Sequence, residues 1–113
     1  QYSYIHATRY ADSLTGGSID WLVRPPKDIE GKTVLILDDI LDEGITLREI
    51  VATCEAMKAK AIYTAVLFDK EIAKEKSYSP NFIGLKVPNR FVFGYGLDCK
   101  GLGRNLPHLY ALD

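Results

Sequence analysis

Apolar positions along the 113 residues follow two rhythms. Thr33-Val34-Leu35-Ile36-Leu37 is a continuous apolar or β-branched run, bounded by Gly31-Lys32 before it and Asp38-Asp39 after it. It predicts a strand of a parallel sheet, covered on both faces. Leu47, Ile50, Val51, Cys54 and Met57 then recur at helical spacing and predict a helix over 46–60, opened by a Thr46/Glu49 capping box. Residues 61–68, rich in β-branched and aromatic side chains, predict the next strand. The strand-helix-strand order implies a right-handed crossover into a parallel pair. Before this centre, 2–7 predicts an opening strand, 8–17 a loop ending in Gly16-Gly17, and 18–23 an alternating segment that turns back through 27–32. After it, 74–81 reads as a polar loop, 82–87 and 91–93 as short strands, 94–107 as loop, and 108–112 as a last strand. No repeat or linker interrupts the pattern, so residues 1–113 are expected to form a single α/β domain around a parallel sheet.

Composition narrows the class of protein. Net charge is −1 with acids and bases interspersed, so no basic face announces nucleic acid and no polybasic run announces a membrane. No apolar run reaches membrane-spanning length and no signal peptide is evident, which makes a cytoplasmic location the default expectation. Cys54 falls on the buried side of the predicted helix and Cys99 in a glycine-rich loop, and two free thiols are expected. The chain opens at Gln1 inside its first predicted strand, as expected of the later part of a longer polypeptide.

The chemistry gathers where strand gives way to helix. In open α/β sheets ligands bind beyond the carboxyl ends of the strands, the place of Asp38 and Asp39. The helix that follows would turn its free amides and positive dipole end to the same crevice, which suits a phosphate. Strand, paired acids, glycine turn and helix start, in that order, describe a phosphosugar site. Other acid-rich motifs fit poorly. An aspartate-rich diphosphate site needs its acids on a long helix. A calcium loop needs an oxygen ligand where Ile40 stands, and the lysine of a triphosphate P-loop and the dinucleotide glycine fingerprint are both missing. Only His6 and His108 supply imidazoles, which argues against zinc.

Residues 34–47, reading VLILDDILDEGITL, resemble the phosphoribosyl-pyrophosphate signature of the type I phosphoribosyltransferases. Two further matches stand in family order and resemble its hypoxanthine-guanine branch: Lys70 at a strand end, and residues 90–104, reading RFVFGYGLDCKGLGR. The resemblance covers nearly all of the chain but only the later part of the usual domain. It implies a type I phosphoribosyltransferase-like parallel-sheet core lacking its amino-terminal portion. The implied reaction joins hypoxanthine or guanine to phosphoribosyl pyrophosphate, with Mg2+ as cofactor and a homodimer or homotetramer as the assembly.

Carried over by position, the resemblance gives Asp38 and Asp39 the two ribose hydroxyls, since carboxylates accept what a vicinal diol donates. Asp42 becomes the acid/base near the purine imidazole, its pKa raised by the neighbouring acids. Glu43, Gly44, Ile45 and Thr46 would wrap the 5′-phosphate. Lys70 would donate to the exocyclic oxygen of a 6-oxopurine, Phe91 and Ile40 would sandwich the base, and the Val92 carbonyl would read its other edge. Asp98 is the implied metal-associated carboxylate and Arg104 the pyrophosphate-side arginine. Arg9 and Tyr10 fall in the implied flexible flap.

Two departures stand out. Glu43 occupies a position where many relatives have threonine or serine, adding a carboxylate that repels phosphate unless it points outward. The family's earlier strand and its pyrophosphate loop have no counterpart, so this chain alone is expected to lack half of that subsite. Two alternatives carry weight: a non-catalytic nucleotide-binding regulator on the same fold, and a xanthine-preferring transferase, since Lys70 would serve that base also.

Overall fold

The computed structural model describes residues 1–9 and 19–113. Its elements are β1 (His6–Arg9), β2 (Ile19–Val23), a 3-10 turn (Lys27–Ile29), β3 (Thr33–Leu41), α1 (Ile45–Ala56), β4 (Ala61–Lys70), β5 (Phe82–Val87), β6 (Val92–Phe93) and β7 (Tyr110–Ala111). The centre is a parallel sheet in the order β3-β4-β5, in register from Thr33 opposite Ala61 to Leu41 opposite Asp69 and from Ala65 opposite Phe82 to Lys70 opposite Val87. The expected parallel crossover is therefore present. β1 pairs antiparallel with β2, and β6 with β7.

Leu47, Ile50, Val51 and Cys54 form the buried stripe of α1 and lie against Ile36, Leu41 and Val66 of the sheet. Their spacing of three, four and seven keeps them on one face of the helix. Burying each aliphatic side chain contributes about 1.5–3 kcal/mol. A second cluster, Phe68, Val87, Val92 and Leu97, ties the β6–β7 unit to the carboxyl ends of β4 and β5, with Ile40 and Leu109 packed on it. Cys54 and Cys99 are free thiols, as expected.

Several boundaries differ from those the sequence predicts. The opening strand starts at His6 rather than Tyr2, which is fully exposed. The helix ends at Ala56 rather than Lys60, because Met57 caps it and Lys58 turns to a φ of 62°. The central strand extends past Leu37 through both acids to Leu41, since β4 continues to offer ladder partners there. Phe91 lies outside β6, and the last strand contracts to Tyr110–Ala111. Most of the predicted 8–17 loop, Tyr10 included, falls outside the described residues.

Among the described residues, the sheet is covered on one face only. Leu35, Leu37, Tyr63, Leu67 and Phe82 are all exposed, Leu37 by 73%, and ladder pairs such as Leu35 with Tyr63 link them into a patch. The expectation that β3 is covered on both faces fails because α1, the one α-helix among the described residues, lies across the opposite face.

Within the sheet, β5 approaches β4 closely at Gly84, where a Cβ would stand 2.5 Å from the Leu67 carbonyl oxygen. A backbone oxygen cannot swing aside. Gly84→Ala is therefore expected to destabilise the domain by about 1–3 kcal/mol, read as a lower urea midpoint. An unchanged midpoint would mean that the two strands sit farther apart.

Candidate active site

The carboxyl end of β3 delivers Asp38 and Asp39, and the chain then turns through Asp42, Glu43 and Gly44 into α1. Gly44 occupies the N-cap position at φ 83° and ψ 4°, a left-handed conformation that costs glycine no Cβ clash. A Cβ there would also stand 3.1 Å from the Tyr78 amide nitrogen and 3.3 Å from its carbonyl oxygen. The predicted Thr46/Glu49 capping box is absent. α1 begins at Ile45, one residue before Thr46, and the Glu49 carboxylate pairs instead with Arg48 at 3.0 Å. With no side chain capping the helix, its first-turn amides keep their free donors.

Those amides border a cavity of about 680 Å³. Arg9, Asp38, Asp39, Ile40, Asp42, Glu43, Gly44, Ile45 and Thr46 all line it. Nine sequence-predicted positions thus converge on one space. Leu41 and Leu47 also line it, as do Ile72, Ala73, Lys74 and Asn89, which were not anticipated. Alternating lysines in a polar loop read as solvated charge, so the only signal for Lys74 was its nearness in sequence to Lys70.

The acid pair is locally strapped. Asp38 accepts from the Asp39 amide at 2.9 Å and Asp39 from the Ile40 amide at 2.7 Å. The Asp38 residue stays open to solvent, but its carboxyl end is crowded, and that desolvation draws its pKa up to about 6. The Asp39 amide opposes the shift, and the adjacent Asp39 carboxyl adds to it. Desolvation, more than the neighbouring acid, therefore sets the shift at Asp38. Asp42 instead faces a cation, the Lys70 ammonium, at 3.6 Å. Lys70 is 14% exposed and Asp42 60%, so the pair joins a half-sunk ammonium to a solvent-facing carboxylate.

Glu43 is neutralised rather than repelling. Its carboxylate accepts from Lys74 Nζ at 3.0 Å and from Arg9 Nη1 at 2.5 Å, and these cations, Lys74 first, hold its pKa below the ordinary value. Arg9 is the last residue of β1, and its guanidinium pairs with Glu43.

The remaining predicted residues sit on the β6–β7 unit, outside the cavity lining. Val92 is buried, and Phe91 is 52% exposed. The Phe91 carbonyl accepts from the Leu112 amide at 2.9 Å, and antiparallel alternation then turns the Val92 carbonyl away from β7. Asp98 and Arg104 pair with each other at 3.1 Å, and Asp98 also accepts the Gly101 amide at 2.7 Å. Ile40 connects the two regions, lining the cavity while packed on the Phe68–Val92 cluster.

Comparison with known proteins agrees with this geometry. A family model described as a phosphoribosyl transferase domain matches residues 1–100. A curated hypoxanthine-guanine phosphoribosyltransferase of Aquifex aeolicus is 44% identical over 111 residues, covering 97% of this chain and 62% of that protein. One from Bacillus subtilis is 33% identical over 113 residues, covering 99% and 63%. A solved hypoxanthine phosphoribosyltransferase from Staphylococcus aureus superposes with a TM-score of 0.85 at 32% identity, covering 96% of this chain and 60% of that one. The chain thus spans about three fifths of the length of these relatives.

Asp38 makes the site visible to pH. Its folded-state pKa of about 6 lies above the ordinary 3.8, so the folded state holds the proton more tightly. The stability this contributes is fully present below about pH 4 and is lost as pH rises through about 6. Asp38→Asn, which cannot ionise, is expected to gain melting temperature relative to wild type across that window. A Tm difference that stays constant from about pH 4 to about pH 7 would rule out the crowding at Asp38.

Proposed function

The chain belongs to the phosphoribosyl transferase domain family, and from that premise we propose that the protein joins hypoxanthine or guanine to phosphoribosyl pyrophosphate, releasing pyrophosphate and IMP or GMP in purine salvage. The observation that carries this reading is one cavity that holds an acid pair, an uncapped helix start and, at its edge, the Asp42–Lys70 pair. Each matches a different part of a nucleoside monophosphate.

Asp38 and Asp39 accept the ribose hydroxyls and fix the sugar. The amides of 44–46 and the Thr46 hydroxyl take the 5′-phosphate, aided by the positive end of the α1 dipole. Lys70, held near Asp42, donates to the exocyclic oxygen of a 6-oxopurine, which an adenine amino group could not accept. Asp42 exchanges the proton at the purine imidazole as the glycosidic bond forms. Ile40 and Phe91 flank the base, and the Val92 carbonyl, facing away from β7, accepts from its other edge. Arg9, in the cavity wall, would help to exclude water from the cationic sugar carbon. Rate enhancement comes from positioning and from charge stabilisation of an oxocarbenium-like transition state.

Mg2+ suits the donor set. Among the described residues no cluster of three or more His, Cys, Asp or Glu could cage a metal, and Mg2+ needs only one or two carboxylates when substrate oxygens and waters complete its shell. Asp98 fits as that carboxylate, because Arg104 and the Gly101 amide each engage one oxygen and leave further lone pairs free. When bound, the ion would neutralise charge on the departing pyrophosphate. Arg104, already beside Asp98, supports the same leaving group. Among the described residues no helix is long and apolar enough to cross a membrane. A cytoplasmic homodimer or homotetramer that binds neither nucleic acid nor membrane completes the proposal.

Pyrophosphate release by the full-length protein, with hypoxanthine, guanine, xanthine and adenine in parallel, tests the reading. Turnover is expected with the first two and negligible turnover with adenine; equal rates with adenine would remove Lys70 from base recognition. Asp42→Asn is expected to lower kcat by about 100-fold or more with little change in KM. Unchanged turnover would take Asp42 out of the chemistry.

A further inference from the structure

The segment between β4 and β5 reads in sequence as a polar loop, yet it meets the 41–44 turn at four points. Lys76 Nζ donates to the Leu41 carbonyl at 3.0 Å and to Asp69 Oδ1 at 2.6 Å. The Ser77 amide donates to the Glu43 carbonyl at 2.9 Å. Lys74 Nζ reaches the Glu43 carboxylate, and the Tyr78 backbone fills the space beside Gly44.

The segment is itself anchored in β4 at two levels. Asp69 stands opposite Leu41 across the ladder, so the Lys76 ammonium bridges the ends of both strands, and the two side chains of the pair are only 19% and 15% exposed. Farther back, the Tyr78 hydroxyl lies 3.2 Å from Thr64 Oγ1, and Asn81 accepts the Thr64 amide at 2.8 Å. Thr64 is fully buried. Partners aimed at a backbone carbonyl at 41, another at 43 and the open side of Gly44 constrain the path of the turn rather than its surface. Without the ammonium, the Leu41 carbonyl and the Asp69 carboxylate would both lose the donor they share, which favours rearrangement of the turn.

We propose that residues 74–78 are a template that holds the 41–44 turn in its phosphate-accepting shape, with Lys76 as the positioning residue. This rests on the phosphate role given to 44–46 under the proposed function. Lys76 touches no substrate in this account; it acts through the backbone that aims the amides.

The test compares binding of GMP and guanosine to the full-length protein by calorimetry, since the two differ only in the 5′-phosphate. In Lys76→Met, GMP affinity is expected to fall about tenfold or more while guanosine affinity stays within about twofold. Lys76→Arg, which keeps the charge and the donors, should recover most of the loss. Equal loss of both ligands, or of neither, overturns the template. Failure of wild type to prefer GMP over guanosine overturns the phosphate site itself, a separate outcome. Hydrogen exchange on the wild-type protein serves if Lys76→Met does not fold: the Ser77 amide is expected to exchange as slowly as β3 and β4 amides, and exchange at open-loop rates overturns the template.

Discussion

A left-handed residue at the junction of strand and helix governs the chemistry of this domain. Had Gly44 been Ser, Thr or Asp in ordinary cap geometry, its side chain would have accepted from a first-turn amide and satisfied it internally. Instead the backbone turns at φ 83° with no side-chain cap, and Tyr78 closes the space a Cβ would need. Conformation and packing therefore demand the same residue. The local cost is a helix start with unsatisfied donors, which an anionic ligand would satisfy.

Charge at the site is balanced in layers. Four acids within 38–43 would repel one another if left bare. Glu43 is drawn to Lys74 and Arg9, and Asp42 lies beside Lys70. Among the described residues no cation pairs with Asp38, and desolvation of its carboxyl end, with the Asp39 carboxyl beside it, raises its pKa. These cations come from three separate stretches of chain, so the charge balance of the acid-rich turn depends on β1, β4 and the segment after β4 together. Exposed ion pairs of this kind add little stability singly. Their effect here is to set which carboxylate is left free to meet a ligand.

Periodicity carried much of the fold into view. The apolar run at 33–37 and the helical stripe through Cys54 each match what the structure shows, because burial selects them directly. What periodicity could not show was what lies on the other side. An unbroken apolar strand has the same pattern whether its second face is covered or open, and here Leu35 and Leu37 are open. The capping box failed for a different reason: Thr46 and Glu49 keep the right spacing, but the glycine two residues earlier has already started the helix. At the site, the order from Asp38 to Thr46 was legible because one turn supplies those residues. Lys76 and Tyr78 were not, since their roles lie in contacts some 35 residues away in sequence. Phe91, Val92, Asp98 and Arg104 came to notice through resemblance rather than pattern.

The raised pKa of Asp38 also bears on how a sugar would be held. A protonated carboxyl both donates and accepts, whereas a vicinal diol that turns both its hydroxyls inward needs acceptors. Near neutral pH the carboxylate form is available but incompletely stabilised, because crowding removes water and no cation among the described residues replaces it. Two hydroxyl donors would supply the missing solvation at the point of greatest deficit. Under the proposed function, the same crowding that weakens the empty fold would strengthen the preference for a ligand with adjacent hydroxyls. On that same proposed function, a deoxyribose unit, short of one donor, would leave part of that deficit in place, so the acid pair is expected to favour ribose.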